Sequence, residues 1–369
     1  MNILYSASTD EHLRRFHRPC LDALVRRGHT LTAAAAGTGE GLPEGVRFLP
    51  TPFVKRMSAP ANLRCAAALG REMSREEYDL VVTNTALASF FTRMGAAVSV
   101  RKPGRIVNIV HGYLFDTEPT SLRREALLAA ERLTASVTDE ILVMNRTDAL
   151  SAKKYRLCRG AVGTIPGMGV DLHRFSPAGP AERAQERASL GFGVDEVVLV
   201  YAAEFSKRKN QRLLLEAMAC LGRNIRLVLP GAGTELDNCM ALAQRLGVAD
   251  RVRFPGPMED VRPLLLAGDI CVSSSRSEGL PFHVMEAMGC ALPCVLTDIK
   301  GHRDLLEDTG AGILCPPSPD SLAAAVAVLA RSDELRHRLG RAARRAVEPF
   351  SLDRALPALL GHLDPDSRS

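Results

Sequence analysis

Two glutamates eight positions apart, Glu278 and Glu286, stand in the segment SEGLPFHVMEAMGCALPCVLTD, residues 277–298, with a Gly-Leu-Pro step directly after the first. Carboxylates accept hydrogen bonds from hydroxyls, so what they could bind depends on what separates them. Residues 270–274 read as a short apolar strand. Pro281 suits the first turn of a helix, where its missing N–H costs nothing. The helix runs to about Cys290, and residues 294–296 form a second buried strand. This order places the helix N-terminus at the carboxyl edge of a parallel sheet. The backbone around Gly279, Leu280, Pro281 and Phe282, at the positive end of the helix dipole, suits an anion such as a diphosphate. At about 1.5 Å rise per residue, Glu286 lies roughly 8 Å further along. A nucleotide sugar has this layout: sugar hydroxyls, diphosphate, then ribose hydroxyls. On spacing alone, an acidic loop followed by a solvated helix face is the simpler reading.

The elements that must position these groups alternate between strand and helix patterns, as in parallel α/β sheets. In the first half, strands are expected at residues 2–7, 30–36, 46–49, 79–83, 105–110, 140–144 and 161–165. Helices are expected at 13–27, 60–78, 87–100 and 121–135. The Gly- and Pro-rich stretch 166–180 reads as an interdomain connection. Strands resume at 196–203, 226–230, 251–254, 270–274, 294–296 and 313–315, with helices between them and C-terminal helices at about 319–330, 333–347 and 352–362. A chain of 369 residues exceeds what one core usually supports. We therefore expect domains at 1–170 and 171–348, with 349–369 a final helix and tail.

Composition narrows the class. No apolar run approaches the roughly 18 residues of a spanning helix, and MNILYSASTDEH reads as a first strand, not a signal peptide. Nine cysteines without a C-x-x-C pair fit reduced thiols, with Cys20, Cys220, Cys271 and Cys294 expected in apolar, buried contexts. A cytoplasmic location is the expectation. Arg supplies 40 of 47 basic residues, which reads as the coding bias of a GC-rich, bacterial genome. The net +5 divides into +7 for residues 1–170 and −2 for the rest. The basic half suits an anionic lipid surface or acceptor, and an arginine-rich solvated face equally; no nucleic-acid partner is expected. A dinucleotide-dependent dehydrogenase is disfavoured. Its glycine fingerprint should follow the first strand, where this chain reads SASTDEH, and the Gly37–Gly41 cluster follows the second strand without a helix behind it.

Taken with its continuation EAMGCALPCVLTDIKG, the two-glutamate segment resembles the E-x7-E signature of the family-4 retaining glycosyltransferases. The resemblance implies an α/β GT-B architecture: two Rossmann-like parallel-sheet domains facing a central cleft, the first for the acceptor and the second for the nucleotide sugar. By the same resemblance, Glu278 orients the sugar and Glu286 the ribose. YAAEFSKRKNQRLLLEAM, from Tyr201, resembles the turn whose lysine, here Lys209, holds the diphosphate. Relatives often carry Gly-Arg where this chain has Ala203-Glu204, leaving Arg208 as the candidate substitute. EFSKRKNQ is similar to a subgroup acting in surface-polysaccharide synthesis. His111-Gly112 resembles the family histidine that faces the donor sugar, and His12 and His17 the subgroup's H-x-x-x-F-H pattern.

Further site assignments are coarser. Gly231, and Met258 in the 256–258 loop, fall where relatives pass the nucleoside. His12, Arg56 and Asn145 are candidates for the acceptor side, although Asp148 nearby reads as a helix-start residue. The helix at 60–78, with Lys55, Arg56 and Met57 before it, could lie on an anionic membrane as a basic amphipathic element; its apolar face serves packing as well. No internal D-x-D follows a strand, and Asp364-x-Asp366 resembles one by letter only, so neither metal nor other cofactor is expected. The expected reaction is retaining transfer from a nucleotide diphosphate-sugar, UDP-sugar first, to a glycan, lipid-linked or small-molecule acceptor. Alternatives are natural-product glycosylation, a nucleotide-sugar epimerase or phosphorylase on the same architecture, and a non-catalytic sugar-nucleotide-binding partner subunit.

Overall fold

In a computed structural model that describes residues 1–115 and 121–364, the chain forms two compact units, one of Met1–Gly169 with the segment from Asp353 onward, the other of Val170–Leu352. Asp366 and the rest of the tail lie outside the described residues.

Each unit is built on one parallel sheet. The first holds β1 (Asn2–Thr9), β2 (Thr30–Ala36), β3 (Val46–Pro50), β4 (Leu80–Asn84), β5 (Arg105–Val110), β6 (Glu140–Val143) and β7 (Ala161–Thr164), in the order β3-β2-β1-β4-β5-β6-β7. The second holds β8 (Val197–Val200), β9 (Ile225–Val228), β10 (Val252–Arg253), β11 (Ile270–Ser273), β12 (Cys294–Thr297) and β13 (Gly312–Cys315), in the order β10-β9-β8-β11-β12-β13. Both orders reverse direction beside the first strand of the unit. The reversal lies between β1 and β4, which pair from Ile3↔Leu80 to Ser6↔Thr83, and between β8 and β11, where Ile270 pairs with Leu199. In doubly wound sheets, ligands bind outside the carboxyl ends of the strands at such a switch point.

Central strands such as LVVTN (β4) and VVLV (β8) are buried throughout, as expected where helices cover both sheet faces. In the second unit Leu199, Leu227, Val272 and Val295 share a core with Leu214, Leu322 and Val326. Each such side chain contributes about 1.5–3 kcal/mol on burial, against about 0–1 kcal/mol for an exposed ion pair. Apolar burial therefore holds the sheets, and polar groups at their carboxyl edges are available for other work.

Three sequence expectations need correction. The helix expected as continuous from 13 to 27 starts at Asp10 and is interrupted by a π-helical turn, Leu13–His17, before resuming as Arg18–Arg26. Pro19 has no N–H to give to the carbonyl of residue 15, and the wider turn absorbs that loss. The helix expected to reach Tyr78 ends at Arg75, and Tyr78 is buried beside β4. Cys220, expected in a buried context, is exposed, although all nine cysteines are free thiols. The last helix, Leu352–Leu363, packs on the first unit: His362 Nδ1 lies 2.8 Å from Glu140 Oε1, and Arg105 donates to the His362 carbonyl at 2.8 Å.

Candidate active site

In the second unit, the loop after β8 carries Arg208 and Lys209 and leads into the helix Gln211–Ala219. The loop after β11 carries Glu278 and leads into the helix Phe282–Gly289. Strand adjacency brings together residues 69 and 70 apart in sequence: Lys209 Nζ donates to Glu278 Oε1 at 2.6 Å, and Arg208 Nη1 to Oε2 at 2.8 Å. Ser275 donates to Oε1 at 2.6 Å and lies 2.7 Å from the Tyr201 hydroxyl, which itself reaches the Lys209 carbonyl at 3.0 Å. Lys209 and Glu278 are both buried.

Burial alone would raise the Glu278 pKa, but Lys209 and Arg208 outweigh it and hold the carboxyl well below the ordinary carboxylate range. Burial lowers the Lys209 ammonium pKa, with Glu278 opposing. Glu278 lies between the two cations at the mouth of the helix, and the Glu204 carboxylate also acts on both.

Two glycines fix the backbone here. A Cβ on Gly231 would stand 2.1 Å from the Ala203 carbonyl oxygen, so only glycine lets the loop after β9 close on the loop after β8. A Cβ on Gly301 would meet the Gly279 and Glu278 carbonyl oxygens at 2.5 and 2.8 Å, so that residue presses the Glu278 loop into place. Gly231 also donates to the Gly256 carbonyl at 2.8 Å, tying it to the loop with half-buried Met258. Leu280 is buried, Pro281 stands at the N-cap of the helix, and half-buried Glu286 is on its second turn.

Sequence reasoning missed Tyr201, Ser275, His283 and His302. His283 is in the first turn of the Phe282–Gly289 helix, its ring centroid 5.1 Å from that of Tyr201. Its Nε2 and that of His302 are buried without hydrogen-bond partners among the described residues. Burial lowers both imidazole pKa values, His302 to about 4 even though its Nδ1 lies 2.6 Å from the Thr297 carbonyl. The signal was the position of His283 inside the glutamate segment itself.

The first unit gathers different chemistry at the carboxyl edge of its sheet. Thr9, ending β1, caps the turn that carries His12. His111 follows β5. His12, His17 and His111 converge, with ring centroids 5.0–5.1 Å apart, and the Nε2 atoms of His12 and His17 are 3.2 Å apart. Burial lowers all three pKa values, His12 to about 4, so the cluster is neutral at pH 7. These three are also the set whose ligand atoms, all within 4.8 Å, could hold a metal ion.

A pocket beside them is lined by Thr85, Ser89, Asn108, His111, Tyr113 and Glu131, among others. Thr85 has φ +63°, a left-handed conformation costly for a β-branched residue. Its hydroxyl lies 2.6 Å from that of Ser8, tying β4 to β1 at the switch point. Strain of this kind is not visible in residue types.

Of the residues expected on the acceptor side, Arg56 is exposed in the loop before helix Pro60–Arg75. Asn145 is buried and caps helix Arg146–Tyr155, accepting from Asp148 N at 2.8 Å and donating to its carboxylate at 2.6 Å. Asp148 in turn accepts from the Tyr113 amide, so this pair supports the loop after β5. Asn145 therefore has a structural role as this helix cap.

Two doubly wound parallel sheets, each with polar groups gathered at its carboxyl edge, make up the architecture of the GT-B proteins. Residues 182–346 match the profile of the glycosyl transferases group 1 family, and residues 20–174 that of Glycosyltransferase Family 4. The chain is 30% identical over 375 residues to EpsD of Bacillus subtilis, named as a glycosyltransferase, covering 99% of this chain and 98% of the other. It is similar in structure to sucrose-phosphate synthase from Thermosynechococcus elongatus (TM-score 0.84, 20% identity, 98% of each chain). It also resembles Anabaena HepE in its complex with UDP-glucose (TM-score 0.80, 19% identity, 99% and 100% of the chains). The chain belongs to the family-4 glycosyltransferases of GT-B fold. No helix of the described residues is long and apolar enough to cross a membrane.

Proposed function

We propose that this glycosyltransferase moves a sugar, with retention and without a catalytic metal, from a UDP-sugar to an acceptor hydroxyl in surface-polysaccharide or cell-envelope glycan synthesis. The observation that carries the reading is the buried Glu278–Lys209 pair, capped by the exposed Arg208 guanidinium, set where β8 and β11 diverge and the Phe282–Gly289 helix begins. A diphosphate needs positive charge there, and two cations fixed by one carboxylate supply it without reorganisation.

In the proposed step the bond from the anomeric carbon to the diphosphate oxygen breaks. A bond to the acceptor oxygen forms on the same face, and the acceptor proton passes to the leaving phosphate. Lys209 and Arg208 stabilise the charge on that phosphate. Glu278 holds both cations and accepts from a sugar hydroxyl; Glu286 accepts from the ribose. Gly231 and Met258 border the nucleoside. His111, kept neutral by burial, is assigned by the family resemblance to the transferred sugar.

The UDP-glucose complex of HepE supports the donor class. The subgroup pattern EFSKRKNQ supports a glycan acceptor. Exposed Val54, Lys55, Arg56 and Met57 form a basic and apolar tip that favours peripheral contact with an anionic membrane on the cytoplasmic side.

The test is a panel of nucleotide sugars incubated with acceptor glycans in excess chelator, with UDP release and the anomeric configuration of the product read by NMR. Transfer with the donor configuration preserved is expected. An inverted product, or transfer only after Mg²⁺ or Mn²⁺ is restored, would overturn the mechanism.

A further inference from the structure

Three of the nine histidines in this chain, on two separate elements, bring their rings together at the carboxyl edge of the first sheet. The device that does this is the π-helical turn Leu13–His17. In a regular α-helix of 3.6 residues per turn, side chains five apart diverge by roughly 140°. The wider turn returns His17 to the face of His12 and leaves their Nε2 atoms 3.2 Å apart. His111 arrives from the end of β5, and its Nε2 is buried without a hydrogen-bond partner among the described residues.

We propose that His12, His17 and His111 form a binding site for one divalent transition-metal ion of the zinc class, ligated through their Nε2 atoms. With Zn–N distances of about 2.0–2.1 Å, tetrahedral ligands stand roughly 3.3–3.4 Å apart. The His12–His17 pair already has that separation. All candidate ligand atoms lie within 4.8 Å, so rotation of the half-buried His12 and His111 rings by about 1.5 Å or less closes the site.

Behind it, the Tyr5 hydroxyl lies 2.8 Å from His17 Nδ1, the outer-shell contact that fixes a ligating imidazole with its Nε2 lone pair toward the metal. His12 completes the set by carrying its proton on Nδ1. Ligation requires neutral imidazoles, and burial keeps these three unprotonated at pH 7. Three nitrogen ligands leave a fourth position for water, and imidazole donors select zinc, copper, nickel or cobalt over magnesium or calcium. The metal plays no part in the metal-free transfer proposed above, although the site shares His111 with it. Because occupancy engages the His111 nitrogen assigned to the sugar, it would oppose that reaction; this consequence alone rests on the transferase reading.

The test uses the full chain without a polyhistidine tag, stripped with chelator and titrated with Co²⁺ alone. The intense visible bands of tetrahedral cobalt should grow to one equivalent and be displaced by Zn²⁺. Zn²⁺ should raise the melting temperature of the same preparation. His12→Ala and His111→Ala should each abolish the bands, while His337→Ala, an exposed histidine in the second unit, should keep them. His17 is fully buried, so His17→Gln is read only if its circular dichroism spectrum is native. A weak octahedral-type spectrum from the wild-type chain, or bands that survive both His12→Ala and His111→Ala, would overturn the assignment. These readouts report ligation and not turnover, so the outcome stands whatever becomes of the transferase reading.

Discussion

The two units have the same strand logic and different electrostatics at the carboxyl edges of their sheets. At the β8/β11 switch point a buried carboxylate is held between two cations. At the first unit's carboxyl edge three neutral imidazoles meet, with a strained threonine nearby directly after β4 and no carboxylate among them. A parallel α/β sheet dictates where a ligand sits, while the loop residues decide its chemistry. Fixed positive charge suits a diphosphate; neutral nitrogen donors and acceptors suit hydroxyls or a borderline-soft metal ion.

The comparison breaks most sharply at Glu278. Glu278→Ala leaves the Lys209 ammonium buried without its carboxylate, and losing one partner of a buried pair costs about 3–5 kcal/mol. Chemical denaturation should show that loss in the second unit. Lys209→Ala removes charge facing the leaving phosphate, and kcat should fall by roughly two to three decades, read from UDP release under saturating donor. Glu286→Gln keeps shape and helix propensity but weakens a charged hydrogen bond, so donor affinity should drop by about 1.5–3 kcal/mol with little change in Tm. An unaltered donor Kd by calorimetry would place Glu286 outside the site.

The smallest effect concerns pH. The folded-state pKa of His12 is lowered from 6.5 to about 4, so the unfolded chain takes up its proton first as the pH falls. The stability associated with neutral His12 is therefore present above pH 6.5 and is lost progressively between 6.5 and about 4. His17, His111, His283 and His302, also buried with lowered pKa values, add to the same slope. Replacing His12 with Gln should remove up to one proton from the uptake on unfolding in that window. Urea titrations of both proteins at several pH values would show equal slopes if His12 were exposed.

Much of this was legible in the residues and some was not. Strand–helix alternation revealed two parallel sheets because buried strands such as VVLV and LVVTN carry continuous apolar runs between helical patterns. The glutamate segment stood out because its chemistry is local, running through one loop and one helix. The Lys209–Glu278 contact was hidden: it depends on β8 lying beside β11, a fact of sheet order and not of spacing. The capping role of Asn145 was not foreseen because a capping amide and a substrate-binding amide are the same residue type. The π-turn had a visible cause in Pro19, inside the span expected to be a regular helix, yet its consequence, His17 turning back to His12, needed coordinates.

The division of labour between the charged and the neutral site is tested most directly by the affinity of UDP itself for Lys209→Ala and His111→Ala. With the diphosphate at the charged site, as proposed, Lys209→Ala should weaken UDP by about tenfold or more, while His111→Ala should bind UDP as the wild type does and lose turnover. Equal UDP affinity in the two variants, with transfer intact in both, would contradict the account.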